Sequence, residues 1–396
     1  MRAASCRQLT PCCRTTVCVA LAARVAWASA GLAQPLITEF SLPTANSTPA
    51  GIAAGPNGNL WFTEIDGNRI GRITPHGAVT EFPIATPVSS PFRIAAGDDG
   101  NLWFTESNVG KIGRIAPDGD ITEFALPADD VDPFRITRGP DGNVWFIELE
   151  GNRLGRITPS GVIAEFPLPT RNSDPIGITS GPDGSLWFTE RVGNQIGRKS
   201  AVAITEFPLP PASGPEDIIA GPDGALWFTA GDGNYIGRIT TAGDVTTYSI
   251  PTFAGPKGIT SGPDGNLWFA AAGGNRIGRI TTDGTITEYA LPTADSFPTD
   301  ITVGGDGALW FTEANANQIG RLVPEPPAPT PTVTAAACAG DCNGDNRVTV
   351  DELLAAINAA RSETTGADCL AALCKADSRA CLVSALLRAL TRCPIA

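Results

Sequence analysis

A Trp-Phe pair recurs seven times along the chain, at Trp61, Trp103, Trp145, Trp187, Trp227, Trp268 and Trp310, at intervals of 42, 42, 42, 40, 41 and 42 residues. A period of that length is the size of one four-stranded propeller blade. The first copy contains four β-prone runs, "GIAA", "LWFTE", "RIGRIT" and "AVTEF", separated by "GPNG", "IDGN" and "TPHG". The separators carry Gly and Asn, which take the positive φ that tight turns demand. The fourth-strand phrase also occurs seven times, starting at Ile37, Val79, Ile121, Ile163, Ile204, Val245 and Ile286. Its first instance precedes every Trp-Phe unit, and the last unit is followed by none. Residues 37–40 are therefore expected to complete the last blade, joining the ends of a ring and leaving no long exposed edge. The fold class that follows is all-β: a seven-bladed β-propeller over residues 34–323, closed by its N-terminal strand. An open solenoid is the alternative that the matched counts disfavour.

Each copy carries Gly-Arg in its third strand, with the arginines at 72, 114, 156, 198, 238, 279 and 321. In a hairpin with the second strand this Arg falls near the Trp of its own copy, an arrangement worth about 0.5–2 kcal/mol. The Gly before it leaves room for the Phe opposite. Presence in all seven copies marks both as scaffold, since a ligand rarely contacts every blade alike. The "GPDG" turns read the same way, with calcium a remote alternative.

Two positions vary instead. The third residue after Trp is Glu64, Glu106, Glu148, Glu190, Ala230, Ala271 and Glu313. The pair after the proline that opens each inner strand is Ala50-Gly51, Phe92-Arg93, Phe134-Arg135, Ile176-Gly177, Glu216-Asp217, Lys257-Gly258 and Thr299-Asp300. Inner strands line the axis of a propeller, so these pairs should ring one mouth of the central channel. One member of each pair is expected to face that channel, because neighbours on a strand point opposite ways. The candidate ligand-binding set is Phe92, Arg93, Phe134 and Arg135 on one side, with Glu216, Asp217, Lys257 and Asp300 across from them. Such arginines suit a carboxylate-bearing or sulfated ligand, and the ligand classes considered are a small molecule, a glycan or a peptide. The competing reading is a solvated mouth whose charges pair with one another.

The formal net charge is −13. Residues 1–33 hold four Arg and no acid: Arg2, Arg7 and Arg14 precede an apolar run interrupted by Arg24, and "AWASAGLA" follows. This reads as a signal peptide and points to a secreted or periplasmic protein. Its removal takes the charge to −17, which excludes nucleic acid as a partner and disfavours docking on anionic lipid. No run of 18 or more apolar residues follows, so no membrane span is expected. A monomer is expected. Of ten Cys, four lie in the first 33 residues and six after residue 337.

Residues 324–337 are a Pro-rich, extended linker. Residues 338–396 form a Cys-rich module in which "DCNGDNRVTVDE" fits an EF-hand loop. Asp341, Asn343, Asp345, the Arg347 carbonyl, Thr349 and Glu352 take the calcium positions. Asn346 stands where that loop has Gly, and Asn also tolerates the left-handed turn. The helix "ELLAAINAARS" follows, so the module is expected to be small and α-helical, holding Ca²⁺ and up to three disulfides of undetermined connectivity. A disulfide-held helical pair with an empty loop is the alternative. The module is similar to half of a dockerin-like EF-hand pair, which would make a protein partner for it possible.

The phrases "GPDGSLWFTE", "GNRIGRIT" and "IAEFPLPT", with their near copies in other repeats, closely resemble the streptogramin B lyase (virginiamycin B lyase) family over residues 36–323. The resemblance implies a seven-bladed propeller. It also implies a Mg²⁺-dependent carbon–oxygen elimination that opens a cyclic depsipeptide. The family's catalytic histidines stand directly after the Pro of the last two repeats; the matching residues here are Lys257 and Thr299. The glutamate before the second of those prolines corresponds to Phe297, and Glu313 lies near the family's last glutamate. The chain's single His, His76, sits in the "TPHG" turn of the first repeat. Elimination needs a base and an acid, and one peripheral imidazole does not supply both. Lys257 could serve as a base only if burial lowered its pKa substantially. The sequence therefore favours a ligand-binding or scaffold protein, with a lyase of this type as the alternative.

Overall fold

The computed structural model describes residues 35–128, 132–324, 333–334 and 347–348. The signal-peptide, linker and calcium-module expectations lie outside them, apart from a two-residue pairing of Val333–Thr334 with Arg347–Val348. The described chain folds into seven four-stranded antiparallel sheets. Blade 1 is Pro49–Ala54, Leu60–Glu64, Arg69–Ile73 and Val79–Pro83, from the axis outward. Blades 2 to 6 repeat that order over residues 91–125, 133–167, 175–208, 215–249 and 256–290. Blade 7 has three strands of its own, Pro298–Val303, Leu309–Glu313 and Gln318–Val323, and takes its fourth from Leu36–Ser41. The closing register runs from Leu36↔Val323 to Ser41↔Gln318, as the matched repeat counts implied.

Why each repeat makes a blade is visible in one cluster used seven times. The Trp of the second strand packs against an outer-strand aromatic and a third-strand Arg. The outer-strand aromatic stacks on one side, as in Trp61–Phe82 at 5.5 Å and Phe40–Trp310 at 5.7 Å. The third-strand Arg lies against the Trp as well, at 5.4 Å for Arg72 on Trp61 and 5.5–5.9 Å in five other blades, and in blade 1 it is as close to the outer-strand aromatic, Arg72 to Phe82 at 5.3 Å. The Gly before that Arg is obligatory: a Cβ on Gly71 would stand 2.1 Å from Phe62 Cζ, and the other six blades repeat the collision. Seven apolar clusters of buried residues then join neighbouring blades; in one of them Trp61, Ile70 and Ile84 of blade 1 pack against Ile94, Leu102 and Phe104 of blade 2.

The "GPDG" turn is also scaffold. In blades 2 to 7 its Asp accepts the indole N–H of the Trp four residues on, for example Trp227 Nε1 to Asp223 Oδ1 at 2.9 Å. In blades 3 to 7 the same carboxylate pairs with the third-strand Arg, as in Arg238–Asp223 at 2.6 Å. Burial pushes these carboxyls up, but hydrogen bonds from the indole and the turn outweigh it and hold Asp264, among others, below the ordinary value.

Candidate functional site

The pair after each proline is where the sheets depart from regularity. In blade 2, Pro91 pairs with Glu106 and the next matched rung is Ile94 with Phe104. Two inner-strand residues therefore oppose the single Thr105, which makes a bulge, and every blade repeats it. The threonine hydroxyl holds it in place: Arg93 N–H donates to Thr105 Oγ1 at 3.1 Å, and that hydroxyl donates to the Phe134 carbonyl of the next blade at 3.0 Å. Alternation is suspended at a bulge. At blade 2 both members of the pair make contacts from blade to blade, Phe92 with Phe134 and Arg93 with Asp300.

The first members lie nearer the proline ends and form the mouth. Phe92 and Phe134 are half-buried and stack with centroids 4.1 Å apart. Lys257 Nζ donates to Glu216 Oε1 at 2.8 Å, and Arg191 Nε lies 3.9 Å from the same oxygen. Thr299 Oγ1 is 3.1 Å from the Ala50 carbonyl and 2.8 Å from Thr312 Oγ1. The mouth therefore has an apolar arc of Ala50, Phe92, Phe134 and Ile176, and a polar arc of Glu216, Lys257 and Thr299.

The second members cross the channel below it. Arg135 Nη1 meets Asp217 Oδ2 at 2.8 Å, tying blade 3 to blade 5, and Arg93 Nε lies 3.9 Å from Asp300 Oδ2, tying blade 2 to blade 7. All four residues are at most 8% exposed. The carboxylates also accept backbone N–H groups freed by the bulges: Asp300 from Ile52 at 3.0 Å, Asp217 from Ile218 at 2.9 Å and Ile259 at 3.1 Å. Burial pushes Arg93 down to about 10, against the pull of Asp300, and pushes Asp217 up against the pull of Arg135. The charges pair with one another, but buried rather than solvated. Arg93 sits 4.7 Å from the Phe92 centroid and keeps Nε and Nη1 without a hydrogen bond.

The glutamates after Trp lie elsewhere. Glu64, Glu106, Glu148, Glu190 and Glu313 are fully buried at the outer end of the second strand, beneath the loop that enters the inner strand. Each has a second carboxylate nearby on the outer strand: Glu81, Glu123, Glu165, Glu206 and Glu39 respectively. Burial raises their pKa to about 7 at Glu64, Glu148 and Glu190, and to about 8 at Glu106 and Glu313. The loop serine donates elsewhere, Ser296 to Asn275 Oδ1 at 2.9 Å, and both Glu313 oxygens are buried without a hydrogen-bond partner. Where the acid is missing, its surroundings change with it. In blade 5 Tyr235, opposite Ala230, donates to Ser213 at 2.6 Å. In blade 6 Ala254 takes the serine's place beside Ala271, and both join the apolar core. Glu313 thus occupies a scaffold position shared with four other blades. Sequence reasoning missed the outer-strand partners, although the Glu of each "TEF" phrase was in view.

His76 is exposed in its turn, on the face opposite the proline ends. Among the described residues no three His, Cys, Asp or Glu side chains are brought together as a metal cage. The mouth offers Glu216 alone, already shared between two cations, so the residues present do not fit Mg²⁺. Phe297, matched to a family glutamate, is 39% exposed on the loop before Pro298.

A model of the virginiamycin B lyase family matches residues 33–213 and 175–340. The crystal structure of virginiamycin B lyase from Staphylococcus aureus is 43% identical, with a TM-score of 0.70, and the match covers 73% of this chain and 99% of that one. A catalytically inactive virginiamycin B lyase from the same organism, solved with quinupristin, is 42% identical with the same TM-score and coverage. A curated virginiamycin B lyase of Bacillus licheniformis is 48% identical over 43 residues, 11% of this chain, and the chain spans 15% of that relative's length.

Proposed function

The chain belongs to the virginiamycin B lyase family, and from that premise we propose that it is an exported ligand-binding member whose mouth has exchanged catalysis for recognition. The observation that carries the reading is the Lys257–Glu216 pair at 2.8 Å, at the position matched to the family's first catalytic histidine. A lysine donating to a carboxylate offers no lone pair to a substrate proton, and general-base elimination needs one. Thr299, at the second histidine position, is engaged with Ala50 and Thr312, and His76 lies on the opposite face. What remains is the stacked Phe92–Phe134 wall, which would take an apolar or ring-bearing ligand, with the Arg93 donors beneath it for an acceptor group.

The second reading is a lyase of the family type, favoured by 42–43% identity along nearly the whole length of the solved lyases. Quinupristin separates the two. Ring opening by elimination leaves the mass unchanged, so it is followed by chromatographic retention and fragmentation, with and without Mg²⁺. The binding reading expects saturable binding without conversion, weakened at least tenfold, about 1.4 kcal/mol, by Phe92→Ala with Phe134→Ala. Conversion abolished by Lys257→Ala would establish the lyase instead, and absence of any binding would defeat the recognition reading. For the C-terminal module, residues 338–396, we propose Ca²⁺ binding through Asp341, Asn343, Asp345, the Arg347 carbonyl, Thr349 and Glu352. Calorimetric titration of the whole protein with Ca²⁺, with and without Glu352→Gln, tests it.

A further inference from the structure

Six of the seven blades solve the same problem in the same way. The tryptophan at the heart of the blade has one polar atom, its indole N–H, and an aspartate four residues earlier accepts from it at 2.9–3.2 Å. Blade 1 is the exception. Its turn reads "GPNG", with Asn57 where the others have Asp, and Trp61 Nε1 is buried without a partner. Asn57 has φ +61°, the left-handed conformation that Asn adopts more readily than most residues. No hydrogen bond from the indole to Asn57 is formed. Arg72, lying over Trp61, has no carboxylate either and donates instead to the Pro117 carbonyl at 3.1 Å. A buried donor left unsatisfied is an expensive exception in an otherwise regular fold.

The residue that makes this exception is also the reactive one. Asn57 is followed by Gly58, which has φ +73°, no side chain to shield its nitrogen, and open space around it. Asn57 itself is exposed to water. Among the described residues this is the one Asn-Gly step.

We propose that Asn57 is a self-modification site that converts to aspartate and thereby supplies the acceptor Trp61 lacks. The Gly58 backbone nitrogen bonds to Asn57 Cγ and loses its proton, and the side-chain nitrogen departs as ammonia, leaving a five-membered succinimide. Water then adds at Cγ and the ring nitrogen–Cγ bond breaks. The main-chain peptide bond stays intact and the new carboxylate is the side chain. The balance is one water consumed and one ammonia released, with no oxidant or reductant. A carboxylate at 57, once residue 57 takes the right-handed φ of its six counterparts, accepts from Trp61 Nε1 as in those blades and lies beside the Arg72 guanidinium as in blades 3 to 7.

The test is peptide mapping of the whole protein during incubation in mildly alkaline buffer. The expected result is a mass gain of about 1 Da confined, within the described part, to the peptide containing Asn57. The product should be aspartyl rather than isoaspartyl by retention against synthetic standards. Asn57→Asp should melt about 2–4 °C above the starting protein, and Asn57→Gln, a slow cyclizer, should show neither the mass gain nor the rise in melting temperature. An unchanged peptide mass would overturn the modification. An isoaspartyl product, or an Asn57→Asp variant no more stable than Asn57→Gln, would overturn the structural completion.

Discussion

The Glu313 carboxyl ties the stability of blade 7 to pH. It is fully buried, no cation stands opposite it, since its partner on the third strand is Gln318, and Glu39 faces it from the closing strand. Glu39 is held by the Thr293 N–H at 3.0 Å and hydroxyl at 2.7 Å. Burial raises Glu313 from 4.5 to about 8. An acid whose folded pKa lies above its unfolded value destabilises the fold as it ionises. Stability from this group is therefore complete below the unfolded value, falls as pH rises through the interval, and levels off above about pH 8. Each tenfold change in the acid's ionisation constant on folding is worth about 1.36 kcal/mol, so the loss between about pH 5 and about pH 8 is roughly 3 kcal/mol. Glu313→Gln keeps the shape and removes the proton equilibrium. Urea unfolding followed by tryptophan fluorescence across that range should show the variant gaining on the parent by roughly 3 kcal/mol at the alkaline end. The other four buried glutamates remain in both proteins, so the difference isolates Glu313. Two stability curves that stay parallel across the range would refute the assignment of a protonated, buried carboxyl.

Arg135→Ala should cost about 3–5 kcal/mol, because Asp217 would remain buried without its cation; restoring stability with the double change Arg135→Ala, Asp217→Asn checks that the charge is responsible. Gly278→Ala places a methyl 2.0 Å from Phe269 Cζ, and an overpacking cost of at least about 1–3 kcal/mol is expected by denaturant titration. Phe40→Ala removes the ring stacked on Trp310, and a loss of about 3–5 kcal/mol in the same titration is expected if the closing strand belongs to the cooperative unit.

Much of the wheel was legible because its logic repeats. The Trp-Phe spacing gave the blade, and the early "ITEF" with no late counterpart gave the closure. A Gly-Arg that never varies announced its contacts with Phe and Trp. What the sequence hid was local. Alternation of side chains was assumed along the inner strands, and nothing in "SPFRIA" says that Phe92 and Arg93 oppose one threonine. The hydroxyls of Thr63, Thr105, Thr189, Thr229 and Thr312 brace the bulge in five blades, while blades 3 and 6 form it with Ile147 and Ala270 in that place. The division of the pairs after each proline into an outer mouth and an inner brace of Arg93, Arg135, Asp217 and Asp300 depends on that bulge. The glutamates after Trp varied and so looked chemical. Where the acid is missing, its neighbours differ as well, Tyr235 opposite Ala230 in blade 5 and Ala254 beside Ala271 in blade 6.

The seam between Leu36–Ser41 and Gln318–Val323 has a mechanical meaning. Its end rung is Leu36↔Val323, so the polypeptide leaves the seam in both directions from the same end. A load applied between the flanking segments would act on one rung at a time, like the slider of a zip, instead of shearing six together. The ring is therefore weakest to traction at the place where it was fastened, and opening would begin with blade 7 while the other six still hold their shape.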